Sequence, residues 1–256
     1  MAVLTTLLAS FGLAAWAGEP ACQVGLPTVD AVAKAAAAAR RLERALDETG
    51  ADVAVVGRVG ADLSRHGISY THAGIVWRDD PAGRWQVTHV LNDCGGPRSR
   101  LYRQGLVNFF LDDPLNYDTL LLVPSEPVRR ALAARLRGGA SGALHEPSYS
   151  ALAYPFRATY QNSNQFVLEN LALARAGALE GGRDAAIGTL RESGFQPDTV
   201  KLSATERLGG GFRANLRFDD HPRAEEAARA YSVVTVAAVE RWMAATGTLA
   251  ARRELH

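Results

Sequence analysis

Two strand-like runs of the sequence are separated by a turn whose residues fix its geometry. The runs cover residues 67–77 (GISYTHAGIVW) and 84–91 (RWQVTHVL). Between them lie residues 79–83 (DDPAG), in which Pro and Gly supply the backbone dihedral angles that a tight turn needs. The pattern therefore predicts an antiparallel pair of strands joined by this turn.

Helical and strand-like stretches occur in blocks along the rest of the chain, not in strict alternation. Helical patterns cover residues 29–49, 100–111, 127–137, 160–176, 183–193 and 222–245, and strand-like patterns cover 51–59, 117–123, 199–202 and 212–218. Residues 209–211 (GGG) stand between strand-like pieces and predict a hairpin turn. The block order favours an α+β fold, with an antiparallel sheet packed against helices, over a doubly wound parallel sheet.

The composition excludes several classes of protein. With 28 Lys and Arg against 27 Asp and Glu, the net charge of +1 lacks the basic excess typical of nucleic-acid binders. The 256 residues are 47% hydrophobic, which is enough for a sizeable core. Two widely separated cysteines, Cys22 and Cys94, are too few for a CxxC metal site. No residue spacing implies a metal or another cofactor.

The N-terminus predicts export. Residues 3–17 (VLTTLLASFGLAAWA) are apolar and uncharged, and they end in the small-x-small pattern of a signal-peptidase site. We therefore expect a signal peptide over 1–17, cleaved to leave a periplasmic or secreted protein without an integral membrane span. A buried N-terminal helix is the alternative, since no Lys or Arg precedes the run. The rest, 18–256, is predicted to be a single α+β domain, with 177–256 either part of it or a C-terminal subdomain. Cys22 and Cys94 either pair in the oxidising compartment or are unrelated thiols.

Two histidines are predicted to face each other. His72 lies in the first strand of the predicted pair and His89 in the second. Paired strands bring side chains on one face within about 5 Å, so one imidazole could act as a base while the other holds its tautomer. The alternative is that both are hydrogen-bonded structural residues.

A polar segment, residues 161–165 (QNSNQ), precedes an apolar helical pattern. Asn162 fits the N-cap position, and Gln165 follows at capping-box spacing. Ser163 then occupies the first helical position, at the positive end of the helix dipole, where an alkoxide or oxyanion is stabilised. Ordinary helix capping explains the same residues without any chemistry.

Taken together, these segments resemble the circularly permuted papain-like superfamily, which includes NlpC-type peptidases and lecithin:retinol acyltransferase relatives. His72 in THAGI looks like the first motif of that superfamily, His89 like the second and Ser163 in NSNQF like the third. The resemblance implies that Ser163 stands where the active families carry a nucleophilic Cys. A hydroxyl is a far weaker acid than a thiol and needs a base within hydrogen-bond reach.

A closer resemblance covers most of the chain after residue 17. The segments DLS (62–64), YTHAG (70–74), NDCG (92–95), NFFLDDP (108–114) and YQNSNQF (160–166) are similar to an exported bacterial family known only as domain of unknown function 2145. That family name implies no activity.

Two functional hypotheses follow from the two resemblances. In the first, the protein is a non-catalytic relative that binds a peptide, glycan or acyl chain, with Tyr70, Asn162 and Gln165 contacting the ligand. In the second, it is a serine-type amide or ester hydrolase or acyltransferase with Ser163 as nucleophile, His72 as base and His89 as orienting group. A cell-wall peptide or a lipid acyl group is the expected partner of either.

Overall fold

The fold is built from eight helices and eight strands in the residues that the computed structural model describes, which are 26–112, 114–211 and 213–256. The helices are α1 (Val29–Thr49), α2 (Leu106–Leu111), α3 (Glu126–Arg137), α4 (Ser163–Arg175), α5 (Arg183–Glu192), α6 (Ala204–Gly210), α7 (Arg223–Ala228) and α8 (Val236–Ala245). The strands are β1 (Val53–Arg58), β2 (His72–Trp77), β3 (Gln86–Asn92), β4 (Ser99–Gly105), β5 (Thr119–Pro124), β6 (Asp198–Lys201), β7 (Ala230–Val233) and β8 (Leu249–Leu255). The predicted signal peptide and Cys22 lie outside the described residues.

Six of the strands form one antiparallel sheet in the order β4-β3-β2-β1-β5-β8. The predicted pair over 67–91 is confirmed, because β2 and β3 are antiparallel neighbours. The last strand, β8, pairs with β5 at one edge of the sheet, and β6 pairs with β7 in a separate two-stranded sheet. The α+β class with an antiparallel sheet is therefore confirmed.

The six-stranded sheet separates two hydrophobic cores. Side chains of a strand alternate between its two faces, so Val55 and Ile75 pack in the core that contains α3, α4 and α8. Val56 and Val76 pack in the other core, under α1 and α2. We call these the α4 face and the α1 face of the sheet. The alternation decides which side chains can meet.

The first helix begins and ends where the sequence predicts. Thr28 caps α1, because its Oγ1 accepts a hydrogen bond from the backbone N–H of Ala31 at 3.1 Å. Gly50 closes the helix at a φ of 65°, a left-handed conformation that glycine adopts without steric cost. The prediction of a helix over 29–49 is confirmed.

The helix predicted over 100–111 is wrong in its first half. Residues 99–105 form β4, which pairs with β3 along its whole length, from Asn92↔Ser99 to Gln86↔Gly105. Only Leu106–Leu111 is helical. The backbone N–H and C=O groups of these residues bond to β3, so they do not need the hydrogen bonds of the predicted helix.

The long helix predicted over 222–245 is also wrong. The chain instead forms α7, β7 and α8 in succession, because Arg229 adopts a left-handed φ of 51° that ends α7. Thr235 then caps α8, accepting a hydrogen bond from the N–H of Ala238 at 3.0 Å. The predicted glycine hairpin is wrong as well, since Gly209 and Gly210 are the last residues of α6. Residues 213–218 form no strand.

Candidate functional site

The two predicted histidines meet on the α1 face of the sheet. His72 begins β2 and His89 lies in β3, and His72 Nε2 is 2.8 Å from His89 Nδ1. Both side chains are fully buried. The ring of Phe109, in α2, covers them at centroid distances of 6.0 Å from His72 and 5.2 Å from His89.

Burial and a neighbouring positive charge keep the histidine pair neutral. Burial lowers the pKa of His72 well below its usual value, and the charges of Arg58 and of His89 act in the same direction. Burial, assisted by Arg58, lowers the pKa of His89 to about 3, and Gln104 opposes this shift. The hydrogen bond of the pair therefore joins one N–H to one lone pair. Which ring donates depends on the tautomer.

The positive charge beside the pair is itself part of a buried ion pair. Arg58 Nη2 contacts Asp112 Oδ2 at 2.9 Å, and the Arg58 guanidinium lies over the Phe109 ring at 5.3 Å. Arg58 is not among the predicted site residues. Its signal was an arginine at the end of an otherwise apolar strand, where a charge is tolerated only with a partner.

The predicted helix cap at the start of α4 is confirmed. Asn162 Oδ1 accepts a hydrogen bond from the backbone N–H of Gln165 at 2.8 Å, and Ser163 is the first helical residue. The reciprocal half of a capping box is absent, because Gln165 Nε2 points to the carbonyl of Tyr154 at 3.5 Å instead. Ser163 is fully buried at the positive end of a 13-residue helix.

The structure separates Ser163 from the histidines. Helix α4 packs on the α4 face, where Phe166 and Val167 share a core with Ile75. His72 points to the α1 face, beside Phe109. The sheet lies between the two side chains, so the predicted contact of a His72 base with a Ser163 nucleophile is not formed. Neighbouring side chains of an extended segment point to opposite faces of the sheet. Thr71 faces the start of α4, so the next residue, His72, faces away from it.

A small cavity opens at the start of α4. Its volume is about 30 Å³, enough for one or two water-sized groups. Its lining residues come from four segments of the chain and are Leu63, Ile68, Thr71, Ala151, Asn162, Ser163, Asn164, Val233, Val234 and Thr235. We call it the Ser163 cavity. Neither histidine lines it.

The polar groups of the Ser163 cavity are only partly satisfied. In the described chain, Ser163 Oγ makes no hydrogen bond, and Asn164 Oδ1 is buried without a partner. The Asn164 amide nitrogen is held by the carbonyls of Val234 at 3.2 Å and Thr71 at 3.4 Å. The first N–H groups of a helix also have no intrahelical acceptor. The cavity can therefore bind a group that has both a hydrogen-bond acceptor and a donor.

A second cleft adjoins the Ser163 cavity and contains Tyr70. Its volume is about 180 Å³. It is lined by residues of the 67–70 loop, β5, β6, α8 and β8, namely Gly67, Ile68, Ser69, Tyr70, Leu120, Asp198, Thr235, Ala237, Glu240, Arg252 and Glu254. We call it the Tyr70 cleft. Ile68 and Thr235 line both spaces, so the two are neighbours.

A third space, of about 350 Å³, lies on the opposite side of the molecule between α1 and α2. It is lined by the alanines and charged residues of α1, together with Trp85 and residues 105–108. None of the predicted site residues reaches it.

A buried ion pair joins Glu169 of α4 to Arg183 of α5, and neither residue is among the predicted site residues. Glu169 is fully buried, and both of its oxygens accept hydrogen bonds from Arg183, at 2.9 to 3.1 Å. Arg183 also donates to the carbonyls of Ala158 and Tyr160, and Gln161 donates to Glu169 at 2.7 Å. Burial raises the pKa of Glu169, although Arg183 opposes the shift. The signal was one carboxylate inside the apolar run FVLENLALA.

The described residues offer no metal centre and no membrane span. No group of three or more His, Cys, Asp or Glu side chains in residues 26–112, 114–211 and 213–256 is arranged to hold a metal ion. In the same ranges, no helix combines the length and the apolar character needed to cross a bilayer. Cys94 is exposed in the turn after β3.

The comparison with known families decides the relationship of the chain. Residues 45–243 match the model of an uncharacterized protein family conserved in bacteria, domain of unknown function 2145. The chain belongs to this family. The matched range runs from the last turn of α1 to α8. It includes both histidines, Ser163 and all the residues that line the Tyr70 cleft except Arg252 and Glu254. The chain matches no curated protein and no solved structure.

Proposed function

We propose that this protein is an exported, non-catalytic binding protein of the bacterial cell envelope. Its ligand, a peptide, glycan or acyl chain, places a polar group in the Ser163 cavity. The apolar, uncharged run that ends in a small-x-small pattern at residues 15–17 supports export.

The separation of Ser163 from His72 by the sheet is the observation that carries the proposal. A serine hydroxyl becomes a nucleophile only when a base within about 3 Å takes its proton. His72 and His89 point into the other core, where burial holds them neutral and Phe109 covers them. The start of α4 carries hydrogen-bonding groups that suit recognition, and none of the described side chains that line its cavity is a base.

The competing function is a serine hydrolase or acyltransferase. The observation in its favour is that the Ser163 hydroxyl lies at the positive end of α4, where the helix dipole stabilises a negative charge that develops during a reaction. A fluorophosphonate probe distinguishes the two functions, because it labels activated serines only. We expect no labelling of the native protein, and no hydrolysis of a panel of esters and peptidoglycan fragments.

Binding is tested on the same panel by titration calorimetry. We expect one class of ligand to bind, and Ser163→Ala to weaken that binding about tenfold through loss of a hydrogen bond. Ser125→Ala is the matched control, because Ser125 also stands at the start of a helix, as the N-cap of α3, but lines none of the three cavities. Labelling that disappears in Ser163→Ala would overturn the proposal in favour of the enzyme.

A further inference from the structure

The Tyr70 cleft carries an excess of negative charge beside an unbonded phenol. Glu240 and Glu254 share one guanidinium, that of Arg252, at 2.6 Å each. Asp198 lines the same cleft and pairs with Arg241 at 2.6 Å. Three carboxylates and one guanidinium thus line the cleft, which favours a positively charged guest.

Tyr70 stands among these carboxylates as a neutral phenol. Burial raises its pKa to about 12, and the charges of Glu254, Asp118 and Glu240 add to the shift. Its hydroxyl makes no hydrogen bond within the part of the chain that the structure describes. A phenol in this setting can accept a hydrogen bond from a cation, and its ring can stack against the cation.

The adjoining Ser163 cavity contains both hydrogen-bond acceptors and hydrogen-bond donors that have no partner. Asn164 is about nine-tenths buried, lines the cavity and has an unpartnered Oδ1, which calls for a donor. The Ser163 hydroxyl and the first N–H groups of α4 call for an acceptor. A peptide group supplies one N–H and one carbonyl side by side. A cavity of about 30 Å³ has room for the N–H and the carbonyl oxygen of such a group, but not for a whole sugar ring.

We infer that the ligand is a peptide that carries a free ammonium group, with an amide in the Ser163 cavity and the ammonium in the Tyr70 cleft. Ile68 and Thr235 line both spaces, so one ligand can reach the two neighbouring spaces at once. This inference rests on the proposed binding function and selects the peptide among its three ligand classes.

Two probes that differ in one group test the inference. They are Nα-acetyl-L-lysine amide and Nα-acetyl-L-norleucine amide, of which only the first has an ammonium group. We expect the full-length protein to bind the lysine probe about tenfold more tightly, because a hydrogen bond to a charged group is the stronger kind. Nuclear magnetic resonance titration measures both affinities.

Variants assign the two halves of the site. Glu240→Gln should remove the preference for lysine and leave the norleucine affinity unchanged, whereas Ser163→Ala should weaken both probes equally. Ala237→Lys, which places an ammonium at the mouth of the cleft, should abolish the preference. Ala244→Lys is its control, since Ala244 is exposed on the same helix outside the cleft.

Different results would contradict the ammonium site and the choice of a peptide as the ligand. Equal affinity for lysine and norleucine, or a lysine preference that survives in Glu240→Gln, overturns the ammonium site. A glycan or acyl ligand that binds in a Ser163-dependent manner, while neither amide probe binds, overturns this inference and leaves the proposed function in place.

Discussion

His72 and Ser163 lie on opposite faces of the same antiparallel sheet. His72 packs with His89 and Phe109 in one core, and Ser163 opens the helix that packs in the other. Thr71, the neighbour of His72, instead lines the cavity at the start of α4. The alternation of a single strand thus separates the residues that a hydrolase would need to bring together.

The close approach of β2 and β3 under the histidines predicts a strict requirement for glycine at position 74. A Cβ atom added there would lie 2.5 Å from Val87 Cγ1 and 3.2 Å from His89 Cβ. We expect Gly74→Ala to lower the free energy of unfolding by about 1–3 kcal/mol. Gly188→Ala, inside α5 with no atom within 4 Å, should raise it by about 0.5–1 kcal/mol. Urea denaturation measures both, and equal effects of the two changes would refute the packing argument.

The buried histidine pair predicts a loss of stability in acid. The unfolded chain binds protons on these rings near pH 6.5, whereas the folded His89 does so only near pH 3. Stability is therefore complete above about pH 6.5 and falls as the pH drops towards 3, by about 1.4 kcal/mol per pH unit for each histidine. His89→Gln should reduce this slope by the contribution of one histidine, about 1.4 kcal/mol per pH unit. His256→Gln is the control, because His256 is exposed to solvent; an unchanged slope in His89→Gln would contradict the assignment.

The ion pair beneath α4 predicts a large effect of a single substitution. Arg183→Leu leaves the buried Glu169 without its partner and frees two loop carbonyls, at Ala158 and Tyr160. We expect a loss of about 3–5 kcal/mol in the free energy of unfolding. Arg175→Leu, at the exposed end of α4, should change it by less than about 0.5 kcal/mol. Thermal denaturation decides, and a loss below about 1 kcal/mol for Arg183→Leu would show that the pair is not needed.

Much of the fold could be predicted because local signals and the final structure agree. The DDPAG turn fixed the β2–β3 pair, and Asn162 marked the start of α4. Errors arose where long-range pairing overrides a local pattern. Ser99–Gly105 became a strand because β3 offered it a full ladder, and one left-handed residue, Arg229, broke the predicted long helix.

The site was only half predictable, for a geometric reason. The proximity of His72 and His89 follows from strand pairing, which the sequence indicates. Which face of the sheet they occupy depends on where α1, α2 and α4 pack, and motif spacing carries no such information. The Tyr70 cleft is assembled from five separate segments, so only the tertiary structure could reveal its charge.

The cap of α4 predicts a modest and specific loss. Asn162→Ala removes the acceptor of the Gln165 N–H, and we expect it to cost about 1 kcal/mol of stability. Asn162→Asp keeps a side-chain acceptor and should retain most of that energy. Chemical denaturation of the two variants provides the comparison, and equal losses would show that the amide group, which also approaches the carbonyls of Ala151 and Val234, matters more than the cap.

The most direct measurement is the pH dependence of thiol alkylation in Ser163→Cys, with and without His72→Gln. Iodoacetamide reacts with the thiolate, so its rate against pH reports the thiol pKa. Since the sheet separates position 163 from His72, we predict the same alkylation profile in the single and the double variant, with any lowering of the pKa due to the start of α4 alone. A thiol pKa that rises when His72 is replaced would show that the imidazole reaches position 163 and would contradict a non-catalytic site.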